Sequence, residues 1–311
     1  MALPPAFPPE TAPVAGPGED VPDERRPAPR RALWFGALTA MVGAVGVWGV
    51  WRFFVGSRTG RLMDHAALEG AGFGRNTLWD GAQNVLDVIS VPFLVVVLLS
   101  TMLLAVLRRR VVLAVQVALL VGGANLTTQV LKKVVLERPE LGTSDLLLNS
   151  LPSGHTTAAA SVAAALVLVV PRRLRPAAAV VGVVYTVATG MSTLVAGWHR
   201  PSDVTAAVLV VLTWSGVATM VGALYEVSRS APSGSRVGAA VTTVLLLGAL
   251  AAGAGAGVAL YRDLPRAESG LDSTADLLTA YGGGALGVVA VSCATFAALL
   301  FLRHLLDPRD T

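Results

Sequence analysis

Eight stretches of this chain are long and apolar enough to cross a bilayer, and they leave little else to fold. They cover approximately 33–55, 84–107, 111–131, 153–171, 177–197, 204–226, 237–260 and 281–303. About 20 apolar residues in helical geometry span the hydrocarbon layer. Inside that layer every backbone N–H and C=O must find its partner within the protein, and a helix does this within its own segment. The runs lack the apolar–polar alternation of barrel strands. The expected fold class is therefore all-α, a polytopic membrane helix bundle. Composition agrees, with 54% hydrophobic and 14% charged residues, against about 25% charged in an ordinary soluble domain.

The formal net charge of +4 does not indicate nucleic acid, because the basic residues sit in short clusters between apolar runs and form no stripe. The bilayer is the partner that the composition implies, and the sequence leaves oligomeric state open. Cys293 has no second cysteine to pair with, which removes an intrachain disulfide and any cysteine-based metal site. Residues 1–31 are proline-rich and have no apolar core, and they read as a disordered tail. Arginines fix the expected orientation. With the N-terminus cytoplasmic, Arg25, Arg26, Arg30 and Arg31, Arg108 to Arg110, Arg172, Arg173 and Arg175, Arg229 and Arg236, and Arg303 and Arg309 all fall inside. Both termini are then cytoplasmic in a multi-pass protein of the cell membrane. The loops after the third and fifth runs face out. The loop 56–83 is also external and has room for an interfacial helix near Arg61–Leu68. The stretch SRSAPSGSR after Glu226 reads as a linker, dividing a six-helix unit over 32–226 from a two-helix extension over 227–311.

Three patterns lie at the outer ends of these runs: LKKVVLERPEL (131–141), LPSGHTT (151–157) and MSTLVAGWHRPSD (191–203). A helix starting at Pro152 would hold Ser153, Gly154 and His155 in its first turn. Its unpaired N–H groups and partial positive charge make an anion site, and Gly154 lets an anion approach the backbone closely. Lys132, Lys133 and Arg138 add fixed positive charge, Arg138 as a bidentate fork. His199 and Asp203 are four apart. On a helix starting near His199 they share a face, and the carboxylate holds one ring nitrogen as N–H. The other nitrogen is then a lone pair free to attack phosphorus. His155 is placed to protonate the departing oxygen and later to activate water, help worth roughly 100- to 10,000-fold in rate. His65 and His304 have no such neighbours and read as solvated residues, and Gly253 with Gly257 is a weak dimerisation signal in a run so rich in Gly and Ala.

Taken together and in this order, the three patterns resemble the motifs of the type 2 phosphatidic acid phosphatase (PAP2) superfamily: Lys…Arg-Pro, Pro-Ser-Gly-His and Ser-Arg…His…Asp. The resemblance covers about 32–226 and implies a six-helix core that forms a phosphohistidine without metal or other cofactor. It implies His199 as nucleophile, Asp203 as its partner and His155 as the acid, with Lys132, Arg138, Ser153 and Gly154 holding the phosphate. The expected substrate is a membrane lipid phosphate or diphosphate, hydrolysed at the extracytoplasmic face.

Two departures from the family pattern carry physical consequences. Five residues separate Lys132 from Arg138 where the family usually has six, which on an unbroken helix turns the two side chains about 120° apart instead of about 20°. The helix must therefore end between them, and Pro139 disfavours helical geometry at Arg138. In the third motif Ser192-Thr193 replaces Ser-Arg, which removes a guanidinium whose charge-assisted hydrogen bond is typically worth about 1.5–3 kcal/mol. Arg200 or Lys133 would have to supply that charge. If neither does, the alternative is a PAP2-like lipid-binding protein with weakened or no turnover. A transporter would need ionisable or broken segments near mid-membrane, whereas the informative charges here lie at span ends. The haloperoxidases of the superfamily are soluble, unlike this chain.

Overall fold

The computed structural model describes residues 30–87, 110–141, 149–225 and 236–306, with the isolated positions 96 and 99. Nine helices of eight residues or more make up the described fold, with no strand among these residues. They are α1 (Arg30–Val55), α2 (Arg58–Gly72), α3 (Arg75–Asp87), α4 (Val111–Val135), α5 (Gly154–Val169), α6 (Arg175–Val195), α7 (Pro201–Tyr225), α8 (Arg236–Asp263) and α9 (Thr274–Leu306). Among the described residues, six helices are long and apolar enough to cross a membrane: α1, α4, α6 with its preceding turn, α7, α8 and α9. Helix α5 is apolar but shorter. The molecule is a polytopic all-α membrane bundle, as the apolar runs require. Most of the expected run 84–107, the tail 1–29 and the linker 227–235 lie outside the described residues.

Local sequence explains where several helices begin. Ser57 caps α2, its hydroxyl accepting from the Gly60 N–H at 3.1 Å, and Pro176 sits in the first turn of α6, where its missing N–H costs nothing. Helix α7 is the centre of the bundle, with Val204, Ala207, Val208 and Val211 fully buried, and it packs against α1, α9 and α5. Helices α1 and α7 cross at small residues, since a Cβ on Gly216 would come within 2.4 Å of the Gly36 carbonyl oxygen. Helix α8 is the opposite case. Few of its side chains are buried, so its apolar surface faces lipid, and α9 is its main neighbour.

A helix, α2, is present where an interfacial one was expected, but much of it is covered: Arg61, Met63, Asp64, Ala66 and Ala67 are buried, and its main partner is α9. Beneath the ends of α4 and α5, polar contacts tie the two helices together. Thr128 and Thr157 share a hydroxyl hydrogen bond of 2.9 Å, and the Asn125 amide donates to Ser161 at 3.2 Å.

Candidate active site

The C-terminal ends of α4 and α6 and the N-terminal ends of α5 and α7 come together at one end of the bundle, and they carry all three sequence patterns. Helix α4 reaches this end through a π-turn, Leu131–Val135, closed by the Leu136 N–H donating to the Leu131 carbonyl at 2.9 Å. Leu136 is then extended. The helix thus stops between Lys132 and Arg138, which frees the two cations from the 120° disagreement of a continuous helix. Lys132 is half-buried within electrostatic reach of Asp203. Arg138 lies close to Arg200, Arg61, Asp203 and Asp64. Burial, with the guanidiniums of Arg200 and Arg61, draws its pKa below the usual arginine value, while the two carboxylates oppose the shift. Its buried Nε has no hydrogen-bond partner among the described residues.

Helix α5 starts two residues later than the sequence pattern suggested. Pro152 and Ser153 precede it, Ser153 being the N-cap with extended geometry, and Gly154 is the first helical residue. The Ser153 hydroxyl oxygen accepts from the Thr156 N–H at 3.4 Å, and the Ser153 N–H donates to the Asp203 carbonyl at 2.9 Å. The second and third patterns are therefore joined through the backbone. A Cβ on Gly154 would meet only the Gln129 amide nitrogen, at 3.8 Å, so the first turn of α5 opens onto free space. Asn149 fastens the strand of chain between the first two patterns, donating to the Leu136 carbonyl at 2.9 Å and accepting from the Leu151 N–H at 3.2 Å.

His199 is not on a helix, which corrects the shared-face argument. Helix α7 begins at Pro201, a favoured first helical residue. Arg200 holds the N-cap position, its carbonyl accepting from the N–H groups of Asp203 and Val204. Asp203, at the third helical position, reaches back to the cap, so Oδ2 accepts from the Arg200 N–H at 3.0 Å. The same oxygen lies 3.1 Å from His199 Nδ1. The Ser150 hydroxyl also donates to this carboxylate. With a carboxylate as acceptor, Nδ1 carries the proton and Nε2 the lone pair. His199 and Asp203 are both buried.

The loop that delivers His199 is built by the end of α6. Gly197 has φ +73°, a left-handed conformation that side chains other than glycine resist, and the Thr193 carbonyl accepts from both Trp198 (3.0 Å) and His199 (3.3 Å). Trp198 then lies beside His155, ring centroids 5.5 Å apart at 40°. His155 is half-buried and within electrostatic reach of His199 and Lys132.

All seven residues singled out in the sequence, Lys132, Arg138, Ser153, Gly154, His155, His199 and Asp203, thus sit at this one end of the bundle. Thr193 is fully buried, and its hydroxyl donates to the Gly190 carbonyl at 2.7 Å, back into its own helix. Lys133 is exposed, whereas Arg200 is buried, donating to the Ser150 hydroxyl at 3.3 Å. Sequence reasoning missed Asn149, Ser150 and Trp198. Only Trp198 lay inside a quoted pattern, as the residue before His199.

Among comparisons with known proteins, residues 113–226 match the family model of the PAP2 superfamily. Comparison with curated proteins returns no match, and neither does comparison with solved structures. The matched segment runs from α4 to the end of α7 and contains all three patterns, so this part of the chain carries a PAP2 superfamily domain.

Proposed function

We propose that the protein is a metal-independent lipid phosphatase whose nucleophile is His199. The observation that carries the reading is the buried His199–Asp203 pair, held at 3.1 Å within electrostatic reach of His155 and at the same end of the bundle as the open first turn of α5. In the first step Nε2 of His199 attacks phosphorus. The N–P bond forms, the ester P–O bond breaks, and the departing lipid oxygen takes a proton from His155. In the second step His155 accepts a proton from water as the water oxygen attacks phosphorus. The N–P bond breaks, inorganic phosphate leaves, and both imidazoles are restored. Lys132, Arg138, the Ser153 hydroxyl and the N–H groups around Gly154 stabilise the phosphoryl oxygens as charge develops. Arg200 supplies the guanidinium that Thr193 cannot.

A lipid phosphate or diphosphate suits a site at the end of a membrane bundle, because the tails stay in the bilayer while the headgroup reaches His199. Polyprenyl diphosphate, phosphatidate and phosphatidylglycerol phosphate all meet this description. The arginine distribution supports cytoplasmic termini and an extracytoplasmic site. Purified protein in detergent, given these three lipids with EDTA present, is expected to release phosphate from at least one, and His199→Ala to abolish release. No release from any lipid, or release that requires a divalent metal, overturns the proposal. The inward-turned hydroxyl of Thr193 supports one other reading, a lipid-phosphate binder without turnover. That protein would retain these lipids equally well with or without His199.

A further inference from the structure

Two buried charges on α2 remain outside the chemistry above. Helix α2 lies outside the matched segment, and neither Arg61 nor Asp64 belongs to any of the three patterns. They are three residues apart and so share a face, and they are only 5% and 3% exposed. Arg61 donates from Nη2 to the Pro139 carbonyl at 2.6 Å and from Nε to the Val55 carbonyl at 2.7 Å. Asp64 accepts from the Ser202 N–H at 3.2 Å and from the Ser202 hydroxyl at 2.6 Å. One face of one helix therefore grips the residue after Arg138 and the residue before Asp203.

We propose that Arg61 and Asp64 are positioning residues, clamping the first and third motif loops so that Arg138 and the His199–Asp203 pair address the same phosphate. The proposal rests on the phosphatase reading. Neither side chain touches the reacting atoms. Their effect passes through Pro139 to Arg138, and through Ser202 to the cap of α7 that orients Asp203. Helix α2 is itself braced from behind by α9: a Cβ on Gly70 would fall 2.2 Å from the Leu277 carbonyl oxygen, and one on Gly284 would fall 2.6 Å from Pro201 Cγ. Helix α9 thus backs both the clamp and the first residue of α7, which gives the last helix a part in the site.

The test uses the full chain in detergent with Asp64→Ala, Asp64→Asn and Ser202→Ala, assayed beside wild type and His199→Ala. A displacement of about an ångström at a catalytic group can cost on the order of 100-fold. Asp64→Ala is expected to lower kcat by about 10- to 100-fold while KM changes little. Asp64→Asn is expected to recover most of that loss, because its amide can still accept from the Ser202 N–H and donate to the Ser202 oxygen. Ser202→Ala, which keeps the N–H and removes the hydroxyl, is expected to cost about three- to tenfold. It serves if Asp64→Ala does not fold. Wild-type kcat in both Asp64→Ala and Ser202→Ala overturns the clamp. A second readout is independent of turnover. With histidine labelled in ¹⁵N, the Nδ1–H of His199 is expected to resonate far downfield in wild type, to shift in Asp64→Ala and to return in Asp64→Asn. An unchanged resonance in Asp64→Ala overturns the inference even if wild type proves inactive, an outcome that would sink the phosphatase reading separately.

Discussion

Asp203 offers the sharpest dissection of the site, because one of its oxygens does two jobs. Oδ2 accepts both from the Arg200 N–H at 3.0 Å and from His199 at 3.1 Å, while the Asp203 backbone carbonyl separately anchors Ser153. Asp203→Asn is isosteric. Its amide oxygen can occupy the Oδ2 position and keep both contacts, with the amide nitrogen turned toward the Ser150 hydroxyl, which can accept. What disappears is the charge. A hydrogen bond to a charged group contributes about 1.5–3 kcal/mol and a neutral one about 0.5–1.5 kcal/mol, so the variant should lose about 1–2 kcal/mol of orientation and imidazolium stabilisation, or roughly 5- to 30-fold in kcat. Asp203→Ala removes both contacts, orphans a buried N–H and frees the imidazole to rotate. That adds about 1–3 kcal/mol, a further factor of about 5 to 150. The assay is phosphate release under saturating lipid, with melting temperature measured alongside to confirm folding. Equal kcat in the two variants would refute the shared-oxygen argument, since the amide would then be orienting nothing.

Other substitutions separate binding from chemistry. Gly154→Ala puts a methyl into the open space at the first turn of α5, where it meets only Gln129; stability should be unchanged or slightly raised, given that alanine favours helix by up to about 1 kcal/mol over glycine, while KM rises. A normal KM would move the phosphate away from this turn. Arg200→Ala should reduce turnover sharply and Lys133→Ala should not, because only Arg200 is buried at the site; the reverse result would reassign the replacement cation. Asp64 gives a pH signature: burial, then the nearby Asp203, raise its carboxyl to about 7 despite the opposing Ser202 hydrogen bonds and Arg200. The folded protein then holds a proton that the unfolded chain has already released above about pH 4, so stability should fall as pH rises from about 4 to about 7 and level off beyond. Asp64→Asn should flatten that part of a melting-temperature profile, and an identical slope in wild type and variant would contradict the assignment.

The bundle was legible in the sequence because lipid imposes one requirement that apolar length alone can meet. The three patterns were legible because each packs several chemically demanding residues into a few positions. Spacing, however, misled in detail. His199 and Asp203 meet through a helix cap that begins at Arg200, not through a shared helical face, and i to i+4 separation is compatible with both. The break between Lys132 and Arg138 was foreseeable from Pro139, yet the chain leaves the helix earlier, through a π-turn ending at Val135. Arg61 and Asp64 gave no signal at all. On an amphipathic segment an arginine and an aspartate three apart look like an ordinary solvated pair, and only the packing of α2 onto α9 and the motif loops buries them.

The most direct test of the account is a search for phosphate bound covalently to His199. Turnover of a lipid labelled with ³²P in the reacting phosphate, quenched in alkali, should leave acid-labile label on the peptide containing residue 199. That label should be absent from His199→Ala and should accumulate in His155→Ala when the leaving group needs no protonation. Steady turnover without any labelled histidine, or label that survives in His199→Ala, would contradict the account.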